Sequence, residues 1–329
     1  MRVRETTCIN RVGVRAYIER VNPCTGRLRM IGHDMQTLAS QVVGFLMFLQ
    51  VCTPVTSKTL KVTTIHEPPF VEKQLVNGRY TGFIPDLLDE LKDRLGINFD
   101  ISIVKDGAYG VPKSDGKWTG MIGEVLGPDA DFAAAPLTIT STRLNVLDFT
   151  LPFMTTGTVI LGKNPLEIKS VGELANQNTA KYGTIQNGLT KQFFQNSTYG
   201  LYARMWAKMN SDPSVFVDKA ATGVDRVRQG NYYFIMDSVM ADYWSKHRPC
   251  DVKVIGNPLN SWGYGLAFSK GSPHVSTFNL AILRMQEDGT LSRLRNLWWK
   301  DYCSSASTIA ASSFLISSVI VLIHSFIHL

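Results

Sequence analysis

The sequence predicts an α/β fold. Strand-like and helix-like stretches alternate through most of its 329 residues, which is the signature of layered helices and sheets. The composition, 44% apolar and 19% charged, is enough to bury a sizeable core divided between two units, and no stretch is of low complexity. No internal repeat is visible, which excludes solenoids and propellers.

The elements justify that class in order. "LKVTTI" (60–65) is a β-branched run, and the helix after it carries Phe83, Leu87, Leu88, Leu91 and Leu95 on one face. "FDISIV" (99–104) and "DFAAA" (131–135) read as the next strands. After "GKNPLE" (162–167) the alternation resumes with a helix at "SVGELAN", a strand at "AKYGTI" and a helix from Leu189. A strand at "YYFIM" (232–236) and amphipathic helices between Pro273 and Trp299 complete it.

Both ends read as processing segments. "VVGFLMFLQVC" (42–52) has the length of a signal-peptide apolar region and is too short to span a bilayer, so the mature chain is expected to start near Lys58, with Met30 or Met35 as alternative initiators. Residues 1–57 form this leader and hold much of the positive charge, with 7 Arg/Lys against 3 Asp/Glu. What remains is nearly neutral and offers no footprint for nucleic acid. At the other end, Ser304, Ser305 and Ala306 are small, Phe314 to Leu329 is apolar, and no Lys or Arg follows Cys303. That pattern suits a lipid-anchor signal, and a single membrane helix from Ile309 to Leu329 is the competing expectation.

Three cysteines, Cys8, Cys24 and Cys52, fall in or before the leader, leaving Cys250 and Cys303 as the pair for a disulfide in a secreted chain. Asn196-Ser197-Thr198 is a glycosylation sequon.

One arginine stands in an unexpected place. In "APLTITSTRLNV" (135–146), Thr140 or Ser141 reads as an N-cap, which puts Arg143 in a first helical turn, where the helix dipole disfavours cations. A guanidinium there is tolerated when an anion lies against it, because its planar fork matches a carboxylate in bidentate geometry.

In order, "KTLKVTTIHEPPF", "GRYTGFIPDLLDEL", "DGAYG", "GKWTGMIGEV", "APLTITSTRLNVLDFTLPFM", "KYGTIQNGLTKQFF", "DRVRQGNYYFIMDS" and "LRNLWWKDYC" resemble the ligand-binding domain of ionotropic glutamate receptors over about residues 58–303. The resemblance implies a two-lobed clamshell of the periplasmic-binding-protein type II, with lobe 1 made of 58–151 and 263–303, lobe 2 of 152–262, and a ligand in the cleft. It implies that Arg143 clamps an amino acid's α-carboxylate, that Pro136 and Thr138 add polar contacts, and that Asp237 accepts the ammonium. Leu189 and Thr190 match the helix start that holds a second carboxylate, Tyr80 the ring covering the ligand, and Glu67, Tyr264 and Met240 positions lining the pocket. Cys250 and Cys303 match the family's paired cysteines. L-Glutamate is the leading ligand, although the bulk of Leu189 keeps aspartate, glycine and serine open. The chain departs from the family in passing through "TVILGKNPLEIKSVGEL" directly from one half to the other, with no pore segments, and in having only about 57 residues before the match. The resemblance implies no cofactor, and it leaves other receptor subunits and a membrane as partners. A transport-binding protein for amino acids is the second reading, and a fragment or splice form of a complete channel is another. An enzyme lacks support, because no triad, metal spacing or phosphate loop is visible and His66 and His247 stand alone in sequence.

Overall fold

The computed structural model describes residues 59–73, 78–163 and 168–304, which belong to one compact unit. The expected leader and the expected C-terminal anchor lie outside these described residues.

Two sheets organise the domain. The first has the order β4-β1-β5-β13-β6, using β1 (Thr59–Thr64), β4 (Asn98–Ile103), β5 (Phe132–Ala133), β6 (Leu147–Phe149) and β13 (Ala267–Ser269). β1 runs parallel to β4 and β5, while β13 runs antiparallel to β5 and β6. The second has the order β11-β8-β10-β9, from β8 (Thr158–Gly162), β9 (Lys181–Gly183), β10 (Tyr232–Asp237) and β11 (Lys253–Ile255). β2 (Glu72–Lys73) and β3 (Tyr80–Thr81) form a small separate hairpin.

The chain crosses between the sheets twice, outward through β7 (Met154–Thr156) and back through β12 (Trp262–Tyr264). The two crossings pair with each other antiparallel, Trp262 opposite Thr156 and Tyr264 opposite Met154, so one two-stranded ladder joins the halves. This is the mixed α/β, two-lobed clamshell that the sequence predicts. At its outward end Gly157 is required for close approach, because a Cβ there would lie 2.3 Å from the Asn260 carbonyl oxygen. The Thr158 N–H donates to Asn260 Oδ1 at 2.9 Å and the Leu259 N–H to the Thr158 carbonyl at 2.8 Å, which holds the crossings together.

The helices cover the sheets with the faces their apolar spacing dictates. α1 (Phe83–Leu95) buries Phe83, Ile84, Leu87, Leu88 and Leu91 and stops at Gly96, whose left-handed backbone returns its N–H to the Lys92 carbonyl. Each such side chain contributes roughly 1.5–3 kcal/mol of burial. The rest follow as α2 (Gly120–Leu126), α3 (Ser141–Leu144), α4 (Val171–Asn176), α5 (Leu189–Gln195), α6 (Gly200–Asn210), α7 (Ala220–Gln229), α8 (Ser238–Lys246), α9 (Val275–Glu287) and α10 (Thr290–Trp298). Phe70, Phe83, Phe153, Tyr264 and Trp299 form an aromatic cluster behind the crossing strands, and the Trp299 indole N–H donates to the Val239 carbonyl at 2.8 Å.

Three local expectations change. The helix that begins at Ser141 is a single turn, because Leu147 is needed as a buried residue of β6, and Leu144 is left 40% exposed. The helix from Leu189 stops at Asn196 and restarts at Gly200, so the sequon occupies the break. Helices α6 and α7 were not legible as elements, since each buries only a few apolar side chains.

Cys250 and Cys303 form a disulfide with a Cα–Cα distance of 5.7 Å, joining the stretch after α8 to the stretch after α10 across a separation of 53 residues. In the chain-entropy view a loop of that size is worth about 4 kcal/mol. Non-reduced peptide mapping should therefore recover the two cysteines as one linked peptide, and Cys250→Ser with Cys303→Ser should lower the urea midpoint by an amount equivalent to about 2–4 kcal/mol. Two free thiols in folded, secreted material would contradict this.

Candidate functional site

A cavity of 1290 Å³ lies between the halves, lined on the first-sheet side by Glu67, Tyr109, Trp118 and Arg143 and on the second-sheet side by Leu189, Phe193 and Lys219. Its chemistry comes from buried groups that converge from separate elements.

Arg143 is 7% exposed. Thr140 is the N-cap of its turn and accepts the Arg143 backbone N–H at 3.3 Å, while Arg143 Nη1 donates to the Thr138 carbonyl at 2.8 Å. Burial lowers the guanidinium pKa to about 10, against the opposing pull of Tyr109 and Asp237, so it stays charged at neutral pH. Its remaining donors are those the sequence argument wanted for an anion.

Asp237 ends β10 and occupies the N-cap position of α8, yet its side chain makes no capping bond. Its carboxylate instead accepts the Tyr264 hydroxyl at 2.5 Å. Burial raises the Asp237 pKa, while the Tyr264 hydrogen bond and the Arg143 charge lower it. Glu67, half-buried where the chain leaves β1, faces the same group. Its pKa rises to about 7, first from burial and then from the Asp237 charge, with Lys219 acting the other way.

Tyr109 is a residue that sequence reasoning passed over. It lines the cavity within electrostatic reach of Glu67, Asp237 and Arg143, and burial pushes its phenol pKa well above the ordinary range. Asp106 fixes the loop that carries it, accepting the Ala108 N–H at 3.0 Å and the Gly120 N–H at 2.8 Å. Gly120 has φ +65, and a Cβ there would meet the Ala108 carbonyl at 2.3 Å, so the "DGAYG" and "WTGMIGEV" segments depend on each other. The signal was present in those motifs, but it gave no orientation for the ring.

The other expected residues are placed as follows. Leu189 lines the cavity at the start of α5, whereas Thr190 is buried at 8% exposure and is not among the lining residues. Pro136 is buried, and Thr138 bridges Tyr264 as well as receiving Arg143. Tyr80 is half-buried in β3 against the core, Met240 is buried in α8, and Tyr264 is fully buried in β12; none of the three lines the cavity. Asn196 is exposed at the cavity rim. Among the described residues, no group of His, Cys, Asp and Glu is arranged to hold a metal ion.

A two-sheet α/β domain with a buried cation, Arg143, and a carboxyl group, Glu67, lining the cavity between its halves, and with Asp237 outside the lining but within electrostatic reach of both, has the form of a ligand-binding clamshell. Residues 58–166 match the family model described as "Ligated ion channel L-glutamate- and glycine-binding site". The chain is 30% identical over 370 aligned positions to the human and mouse proteins named "Glutamate receptor ionotropic, kainate 4", an alignment covering 74% of this chain and 39% of each relative. It is 29% identical over 380 positions to rat "Glutamate receptor 3", covering 74% of this chain and 43% of that protein. Over these residues the chain is similar to the ligand-binding part of ionotropic glutamate receptors. It spans about two fifths of the length of the curated relatives it matches.

The Glu67 carboxyl gives a test of the site's electrostatics. Its pKa is higher folded than unfolded, so the stability it contributes is fully present below about pH 4.5 and is lost as pH rises through about 7. Wild-type chain should lose roughly 1–3 kcal/mol more than Glu67→Gln between pH 4.5 and 7.5. Parallel denaturation curves for the two proteins across that range would reject the assignment.

Proposed function

We propose that this domain binds an L-amino acid, with L-glutamate as the leading ligand, by closing its lobes around it. The observation that carries the reading is the convergence of Arg143 with Asp237 and Glu67: a buried cation for the α-carboxylate and buried acceptors for the ammonium, drawn from both sheets. A ligand that contacts both halves favours the closed arrangement only through contacts made on each side. Tyr109 covers the ligand from the first-sheet side, while Pro136 and Thr138 shape the seat of the carboxylate. Lobe 1 corresponds to 58–151 with 263–303 and lobe 2 to 152–262, with the β7–β12 ladder as the hinge.

The domain acts as a binder, its buried acids facing a cation and a phenol. It works without an ion pore of its own. β8 ends at Gly162 and α4 begins at Val171, and residues 163–170 are too few for even one membrane-spanning helix of about 20 residues. The 370 aligned positions also exceed the part of this chain that they cover, so the relative carries residues with no counterpart here. Among the described residues no helix is long and apolar enough to cross a membrane. We place the domain on the outer face of the plasma membrane, held by the apolar segment after Ser304 through a lipid anchor or a single helix, where other receptor subunits are available as partners.

Arg143→Ala strands the ligand's carboxylate in a desolvated site and should cost about 3 kcal/mol or more, a loss above 100-fold by calorimetry against L-glutamate. Wild-type affinity in that variant would sink the reading. Expressed in cells without other receptor subunits, the chain should give no glutamate-evoked current; a current there would overturn the pore-less account.

A further inference from the structure

The cleft has a second cation that the α-carboxylate does not need. Among the described residues lining the cavity, Arg143 and Lys219 are the Lys and Arg side chains, and they come from opposite halves. The sequence reading gave a ligand's distal carboxylate to the start of α5, but α5 is a seven-residue helix and the Thr190 side chain lies outside the lining. Lys219 lines the same second-sheet side of the cavity as Leu189. Ile185 bridges Val217 in parallel and the Gln186 N–H donates to the Val217 carbonyl at 2.8 Å, which sets the turn leading to Leu189 alongside the segment leading to Lys219. Lys219 is exposed, and its ammonium makes no ion pair or hydrogen bond with a described residue. It is also the N-cap residue of α7, ten residues long, where the first backbone N–H groups point the same way as its charge.

We propose that Lys219 takes the distal carboxylate of an acidic L-amino acid and so sets the cleft's preference for a dicarboxylic ligand over a neutral one. This rests on the amino-acid reading of the cleft given above. The ligand then spans two cations, Arg143 on one half and Lys219 on the other, and each end of it reports on a different lobe. An uncharged side chain reaches Lys219 without an anion to offer, and the ammonium keeps its attraction to Glu67 across the cleft.

The test compares L-glutamate with L-glutamine, which differ at the distal group alone, by calorimetry on the full chain. Wild type should prefer glutamate; Lys219→Met should lose about 10- to 100-fold in glutamate affinity and keep glutamine within about threefold, and Lys219→Arg should retain the preference. Equal losses for both ligands would make Lys219 a general contact between the halves, and unchanged affinities would make it a bystander; either overturns the proposal. A wild-type chain that binds glutamine or other neutral amino acids but not glutamate overturns the proposal alone. One that binds no amino acid overturns the reading beneath it as well.

Discussion

A buried guanidinium is the constraint around which the cleft is arranged. Arg143 donates to the Thr138 carbonyl and, among the described residues, has nothing anionic in direct contact, and the charges of Asp237 and Tyr109 are what offset its burial. The fold supplies the geometry. A single turn after Thr140 aims the arginine, the end of an apolar strand presents Asp237, and the exit from β1 brings in Glu67. Each is short-range structure held by a long-range sheet, so the charges converge without any one segment containing the site.

The two carboxylates are not equivalent. Asp237 is tied to a phenol and lies closer to the influence of Arg143, whereas Glu67 stands at the cavity wall with a pKa near neutrality. A cation entering the cleft favours the charged form of both, and it gains most from the one that has not already found a partner.

Much of this was legible in the sequence. Arg143 stood out because a first-turn cation contradicts the helix dipole, and Asp237 because a carboxylate follows five apolar residues. The long, strongly periodic segments, β1, α1, β4 and β10, lie within a residue or two of where their spacing put them. What could not be read were contacts set by distant chain. Tyr109 faces the charges because Asp106 and Gly120 clamp its loop, and Lys219 approaches the turn before Leu189 because of one isolated bridge. The strands of three residues or fewer were equally silent, since so short a stretch shows no alternation. Tyr80 and Met240, assigned through resemblance, pack with the core, whereas Tyr264 packs there too but turns its hydroxyl to Asp237.

Tyr264 links two parts of the molecule described separately. Its backbone belongs to the β7–β12 ladder, opposite Met154, and its hydroxyl holds the Asp237 carboxylate. On the proposed amino-acid reading, an ammonium reaching that carboxylate would meet a donor already fixed in the strands that join the halves. Any change at the Asp237 carboxylate is thereby transmitted directly to the joining ladder, through a hydroxyl whose backbone is part of it.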